Sequence, residues 1–376
     1  MSKTSIPEKT KRLLWVKSGG RCEYEGCNQL LYEDSLTKEN MNKAYIAHIV
    51  GDSDNGPRGN KENSKVLSEN IDNLMLLCDV HHRLIDKEGI NKHSEERLLL
   101  MKKEHEERIK IATSITADKC STIVLYGANI GNLSPILSYN IASNTIFPEY
   151  YPNNGNAIEI GLKNSYFKDD DNKYWFIEEE NLISQYKSKI RDRINKEEIT
   201  HISLFALAPM PLLVKLGTLF SDIYLVDVYQ KHREPDIWKW LNSKTEIDYI
   251  VNSPSDVNKK PVLIFSLSAK ITLRIKNRFK DDASIWEVTI AEPNNDFLKT
   301  KNQLKGFRIT VRNLLNQIKQ YTQKEELMIF MAMPNACAIE LGRVWMPKAD
   351  MSLKLYDYNK NLREDVEAIT IRNSIK

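Results

Sequence analysis

Ile71-Asp-Asn-Leu-Met-Leu-Leu-Cys-Asp-Val-His-His-Arg-Leu-Ile-Asp86 decides how the first third of this 376-residue chain is organised. Asn73 to Leu77 lead into a knuckle, Cys78-x2-His81, with a second histidine, His82, directly behind it. About fifty residues upstream stands a partner pair, Cys22-x4-Cys27, spaced by Glu-Tyr-Glu-Gly, a turn-forming stretch. Zinc takes four soft or borderline ligands in a tetrahedron, and two short knuckles supply them. Cys22, Cys27, Cys78 and His81 are therefore expected to hold one structural Zn2+. Around these pairs, residues 7–19 read as a helix with Pro7 in its first turn, and residues 44–50 as a short apolar strand. Gly51 to Asn63 form a polar turn region. Ser94 to Ile111 read as a charged helix with Ser94 as N-cap and Leu98, Met101 and His105 on one stripe. The mostly polar residues 113–119 read as a linker between a domain at 1–112 and one at 120–376.

The length allows two or three domains. A hydrophobic fraction of 41% and a charged fraction of 28% describe a globular chain with real cores, and exclude wholesale disorder or a collagen repeat. Five cysteines, an odd number, do not make a disulfide framework; Cys120 and Cys337 stand beside apolar runs and read as small buried hydrophobes. No apolar run is long enough to span a membrane and no signal peptide is visible, so the cytoplasm is the expected location. The net charge of +3 neither demands nor excludes nucleic acid. Six basic residues against one acid between Met1 and Arg21 could place a helix against phosphate. Beyond the linker, short β-rich runs recur at 122–126, 157–162, 202–208, 223–229, 262–267, 285–290, 327–333 and 351–356. Helical patterns at 211–220 and 302–321 lie between them. This alternation predicts an α/β fold with a largely parallel sheet, long enough for two fused Rossmann-like units. No glycine-rich fingerprint, Walker motif or simple repeat is visible.

Residues 10–110 resemble the HNH endonucleases. The resemblance rests on an Ala47-His48-Ile49 strand, Gly56-Pro-Arg-Gly59, Asp72-Asn-Leu-Met-Leu-Leu-Cys78 and His81-His-Arg-Leu-Ile-Asp86, in that order. It implies a zinc-containing ββα-metal domain that hydrolyses DNA. His48 would be the general base, Asn73 the residue whose amide braces the loop and aims it, and His82 a ligand of a catalytic divalent ion such as Mg2+. Arg58 has the chemistry to clamp a phosphate. Many relatives carry Asp or His immediately before the base; here that position is Ala47, so Asp86, Asp52 or a water must complete the ion's shell. His93, His105, His201 and His232 lack such a context and read as structural or exposed.

A second resemblance runs through Phe205–Gly217, Val226–Arg233, Trp238–Trp240, Ile329–Ala336, Leu341–Arg343 and Leu355–Asp357. These stretches are similar to the SAVED domain, the sensor of bacterial CBASS antiphage systems. The resemblance implies two fused CARF-like Rossmann halves that bind a cyclic di- or trinucleotide made by a partner nucleotidyltransferase. Ligands of open α/β sheets sit beyond the C-terminal strand ends. That places Tyr126, Gln230, Arg233, Ser268, Lys270, Pro334 and Asn335 as candidates. Arg233, Lys270 and Trp240 have the cationic or planar chemistry that phosphates and bases need. The whole reads as a ligand-activated nuclease that self-associates on double-stranded DNA. Two other readings compete with it: a restriction nuclease with a C-terminal DNA-recognition domain, and a zinc-stabilised DNA-binding module without activity.

Overall fold

The computed structural model describes residues 5–374 except 163, 164, 166, 172 and 323. The chain divides into two compact units, Met1–Thr116 and Ala117–Lys376. Among the described residues no helix is long and apolar enough to cross a membrane.

The first unit begins with α1 (Glu8–Lys17), which buries Leu14. The antiparallel pair β1 (Ala44–His48) and β2 (Leu74–Cys78) follows, in register from Ala44 opposite Cys78 to His48 opposite Leu74. Every residue of β2 is buried. A one-turn helix α2 (Ser64–Leu67) lies in the loop between the strands. Directly after β2 the chain turns into α3 (Asp79–Arg83), which widens into a π turn at Leu84–Glu88. The unit closes with α4 (Glu95–Thr113), where the Ser94 side chain accepts a hydrogen bond from Arg97 N, the capping the sequence suggested. His105 on α4 bonds the carbonyl of Ser18, the residue after α1 (2.8 Å), and joins the two helices. Leu14, Leu31, Ile49, Leu76, Ile85, Leu98 and Met101 fill one small core, with the Cys22 and Cys78 thiols among them.

The second unit contains two sheets. The first runs β4 (Tyr151–Pro152), β3 (Cys120–Gly127), β6 (Ile202–Leu207), β7 (Val226–Tyr229), all parallel, with β5 (Ile158–Ile160) also on β3. The second runs β13 (Glu364–Ile371), β12 (Ser352–Asn359), β11 (Glu326–Ala332), β9 (Lys260–Ser266), β10 (Ala283–Thr289), β8 (Ile250–Asn252). Its four central strands are parallel, and β13 and β8 are antiparallel edges. Helices connect the strands: α5 (Tyr139–Ile146), α6 (Tyr174–Tyr186), α7 (Asp192–Asn195), α8 (Met210–Phe220), α9 (Thr272–Phe279), α10 (Lys301–Tyr321) and α11 (Asn335–Val344). α10 starts on a capping box between Thr300 and Gln303 and buries Leu304, Phe307, Val311, Leu314, Leu315 and Ile318. Cys337 is buried, as expected, whereas Cys120 is half-buried; all five thiols are free.

No simple sequence repeat is visible, yet the two sheets share one local pattern. In each sheet a central strand ends at a proline, Pro209 after β6 and Pro334 after β11, and a helix starts there. Eight residues past each proline stands a glycine (217 − 209 = 342 − 334 = 8), Gly217 and Gly342. At these two glycines α8 and α11 cross in backbone contact. A Cβ on Gly217 would lie 2.0 Å from the Ile339 carbonyl oxygen, and one on Gly342 2.0 Å from that of Val214. Arg343 on α11 then reaches across the end of α8. It donates to the carbonyls of Ser221 (3.0 Å), Tyr224 (3.1 Å) and Val226 (3.0 Å) and to Glu340 (2.8 Å), and is 4% exposed.

Backbone contact leaves no room for a methyl group, so Gly217→Ala and Gly342→Ala should each destabilise the second unit by ~3 kcal/mol, the upper end of overpacking costs. For a unit of this size that is a fall in melting temperature of roughly 10 °C. Gly306 in α10 is the contrast. Its Cβ would meet nothing closer than the Tyr249 ring at 3.6 Å, so Gly306→Ala should be neutral or gain up to ~1 kcal/mol of helix propensity. Thermal melts of the three variants check the opposite signs.

Candidate functional site

In the first unit, Cys22, Cys27, Cys78 and His81 are brought together from the loop after α1, the end of β2 and the first turn of α3. Their ligand atoms all lie within 4.8 Å of one another. His81 Nδ1 is 3.1 Å from Cys78 Sγ and 3.7 Å from Cys22 Sγ. A tetrahedral ion with bonds of ~2.0–2.3 Å has edges of about this size, so the donor set is compatible with zinc. Burial pushes the Cys22 thiol well above its ordinary range and the His81 imidazole below its own. Tyr24, between the first two cysteines, stacks on His81 at 4.1 Å and 9°. Its hydroxyl donates to His93 Nε2 (3.0 Å), since His93 Nδ1 donates to the Gly89 carbonyl (2.7 Å). His93, read from sequence as structural or exposed, thus supports the face of the cluster.

At the other end of the β1–β2 ladder from Cys78, His48 closes β1, 8% exposed. Its Nε2 lies 2.9 Å from the Ser68 carbonyl. A carbonyl only accepts, so Nε2 carries the proton and Nδ1 has a free lone pair. Asn73 locks the loop that follows β1: its Oδ1 accepts from Val50 N (2.8 Å), and its Nδ2 donates to the carbonyls of Val50 (2.9 Å) and Leu67 (3.2 Å). His82 stacks on Tyr45 of β1 at 5.0 Å and 15°, with its Nε2 3.4 Å from Asp86 Oδ2. Arg58 departs from its expected role. Its side chain is 8% exposed, and its guanidinium is spent on the carbonyls of Ile49 (2.6 Å), Ile85 (2.8 Å) and His48 (3.3 Å) and on Asp86 Oδ1 (2.8 Å). A guanidinium so engaged is a brace between the strand of His48 and the turn of Asp86 and is poorly placed to clamp a phosphate.

In the second unit only part of the expected ligand set converges. Gln230, just past β7, accepts at Oε1 from Ala336 N (3.0 Å) in the first turn of α11. Pro334 is the N-cap of that helix, and Asn335 Nδ2 donates to the Ala206 carbonyl (3.3 Å) on β6. Ser268 N donates to the Ala332 carbonyl (2.7 Å), two residues before Pro334. Gln230, Asn335 and Ser268 fasten one strand end to another. Arg233 and Lys270 are exposed on separate loops, while Trp240 is half-buried against His232. Tyr126 is fully buried in the core. The open space is elsewhere. A cleft of about 640 Å³ lies at the C-terminal ends of β3 and β5, between Gly127, Asn129, Ser134, Gly161, Gln185 and Lys189. Lys189 Nζ there bonds the Glu159 carbonyl (2.8 Å) and Gln185 Oε1 (2.7 Å). The rule that ligands sit past strand ends could have found it through the glycines that end these runs. The cations of the π turn that follows α6, Lys187–Arg191, carried no motif. On α6 itself, Glu178 is 1% exposed, and burial lifts its carboxyl from 4.5 to about 7.

Residues 182–371 match the family described as the SMODS-associated and fused to various effectors sensor domain, SAVED. No curated protein matches the chain. Among solved structures, the chain is similar to the Acinetobacter baumannii Cap4 SAVED/CARF-domain containing receptor with the cyclic trinucleotide 2'3'3'-cAAA. That match has 13% identity over 74% of this chain and 60% of that one, with a TM-score of 0.43. The same receptor with 3'3'3'-cAAA matches at 14% identity over 83% of this chain and 67% of that one, TM-score 0.42. The Moraxella osloensis Cap4 receptor matches at 12% identity over 75% of this chain and 60% of that one, TM-score 0.39. The chain thus spans between 60% and 67% of the length of these receptors.

Two outcomes follow from this geometry. Cys78→Ser, or a strong chelator, should unfold the first unit, because metal binding in so small a core is on the order of 10 kcal/mol of folding free energy. Far-UV dichroism together with elemental analysis for zinc checks it. Glu178 titrates higher in the folded chain than unfolded, so its contribution is complete below pH 4.5 and is lost as the pH rises through about 7. Glu178→Gln should therefore raise the melting temperature relative to the parent at pH 8 and do so less at pH 5.

Proposed function

The chain belongs to the SAVED sensor-domain family, and from that premise we propose that it is a cyclic-oligonucleotide-activated, metal-dependent endonuclease of the HNH type, the effector of a CBASS antiphage system. The family is described as fused to various effectors, and the first unit lies ahead of the matched residues. The observation that carries the nuclease reading is His48: a partly shielded imidazole at a strand end, its tautomer set by the Ser68 carbonyl, in the same unit as a Cys/His cluster.

The residues suit phosphodiester hydrolysis. His48 Nδ1 takes a proton from water, the resulting hydroxide attacks phosphorus, and the bond from phosphorus to the 3′ oxygen breaks, with solvent protonating the leaving oxygen. Asn73 holds the loop after β1 and so keeps the imidazole aimed. A divalent ion such as Mg2+ at His82 would neutralise charge on the scissile phosphate and the leaving oxygen. In the second unit, the cleft at the ends of β3 and β5 has the polar lining and strand-end position that a cyclic di- or trinucleotide from a partner nucleotidyltransferase would use. Each chain carries one such His48 centre, so cutting both strands of a duplex favours two chains held together. Ligand-driven homo-oligomerisation would supply that proximity.

The test is digestion of plasmid DNA by the full chain with Mg2+, with and without a panel of cyclic di- and trinucleotides, while light scattering follows particle mass. Cleavage and mass should rise together with one ligand, and His48→Ala should lower the cleavage rate at least 10²-fold without changing ligand binding or the fold. Cleavage by His48→Ala at the parental rate, or full activity without any ligand, overturns the proposal.

A further inference from the structure

We propose that His82 and Asp86 together hold the divalent ion of the first unit, with Arg58 as the positioning residue that presents the carboxylate; this rests on the nuclease reading above. The strand offers no second donor of its own. Ala47, immediately before His48, is a methyl group 1% exposed in the core. A carboxylate must come from another element, and α3 with its π turn supplies one.

His82 and Asp86 stand four residues apart, so both side chains leave the same face of that turn. His82 Nε2 and Asp86 Oδ2 are 3.4 Å apart, with side chains 29% and 23% exposed. An ion bonded at ~2.1 Å to one nitrogen and one oxygen spans an edge of ~3.0–3.4 Å, and partial exposure lets such an ion keep waters and meet a phosphate. Each donor is fixed from behind. The His82 ring lies flat against Tyr45, and Asp86 Oδ1 accepts from Arg58 Nη2 at 2.8 Å. One carboxylate oxygen is thereby spent on the guanidinium, and the other is the one that faces His82. Metal-binding carboxylates held by such outer contacts are the usual arrangement.

Arg58 carries a further sign of the constraint. Its backbone is left-handed, φ +58°, a conformation a non-glycine residue keeps only when its surroundings over-determine it. Its bonds to the carbonyls of His48, Ile49 and Ile85 do so, and they tie the base and the carboxylate to a single group.

The test is Mn2+ binding by the zinc-loaded full chain, read as free ion by electron paramagnetic resonance. The parent should bind one Mn2+. Asp86→Asn and, as a second variant, His82→Ala should each weaken binding ~10–100-fold, with zinc content unchanged. Arg58→Lys should weaken it less, and Asp86→Glu should retain more affinity than Asp86→Asn. Parental Mn2+ affinity in Asp86→Asn, with loss in His82→Ala, overturns Asp86 as a ligand and leaves the nuclease reading standing. No Mn2+ binding by the parent overturns the site altogether. Binding that depends on both residues, in a chain that cleaves no DNA under any ligand, supports the site and sinks the nuclease reading instead.

Discussion

Two helix backbones touch at Gly217 and Gly342, and the second unit is arranged around that contact. Each glycine takes a carbonyl oxygen of the other helix where any side chain would sit. Close approach brings the prolines that start α8 and α11, and the strands β6 and β11 that precede them, into a matched pair. The remaining strands of each sheet extend outward from these two. A backbone crossing tolerates no adjustment by rotamer, which makes it a stricter constraint than the apolar packing around it.

Polar groups complete what the glycines begin. Arg343 and Glu340 are both nearly inaccessible, and a lone charge there would be costly. The Arg343 guanidinium is instead distributed over Glu340 and three carbonyls left open past the end of α8 and at the start of β7. Gln230 works in the same way at the opposite end of α11, where it accepts from an amide that the first turn leaves unpaired. Residues that look like ligand-binding chemistry in one dimension can thus be consumed by the demand of helix ends for partners.

The first unit solves a different problem. Its core is small, and two of its buried groups are thiols. Bringing Cys22, Cys27, Cys78 and His81 to one point closes the long loop that contains β1 and fixes β2 against the start of α3. Arg58 adds a second closure, from the turn region to both the end of β1 and the π turn. His48, His82 and Asp86 therefore rest on a frame pinned twice, which suits a site that must hold its geometry.

What the sequence by itself determined was whatever depends on spacing within a short stretch. The two knuckles were legible because a short loop between paired donors leaves them little choice of geometry. The eight β-rich runs and α10 were legible from apolar periodicity. The long-range decisions were not. α11 was missed as a helix, and its kinship with α8 as a repeat, because the shared features are one proline and one glycine eight residues apart. Their meaning appears only when the two backbones meet. Arg58 looked like a free cation because nothing local shows that carbonyls 9 and 27 residues away will claim it. Gln230 and Asn335 likewise turned out to be joints between strand ends, and the open cleft formed at Gly127 and Gly161 instead. Local covalent geometry set the elements and the Cys/His cluster. Competition among buried polar groups for partners, which only the folded chain decides, set which side chains remain free to act.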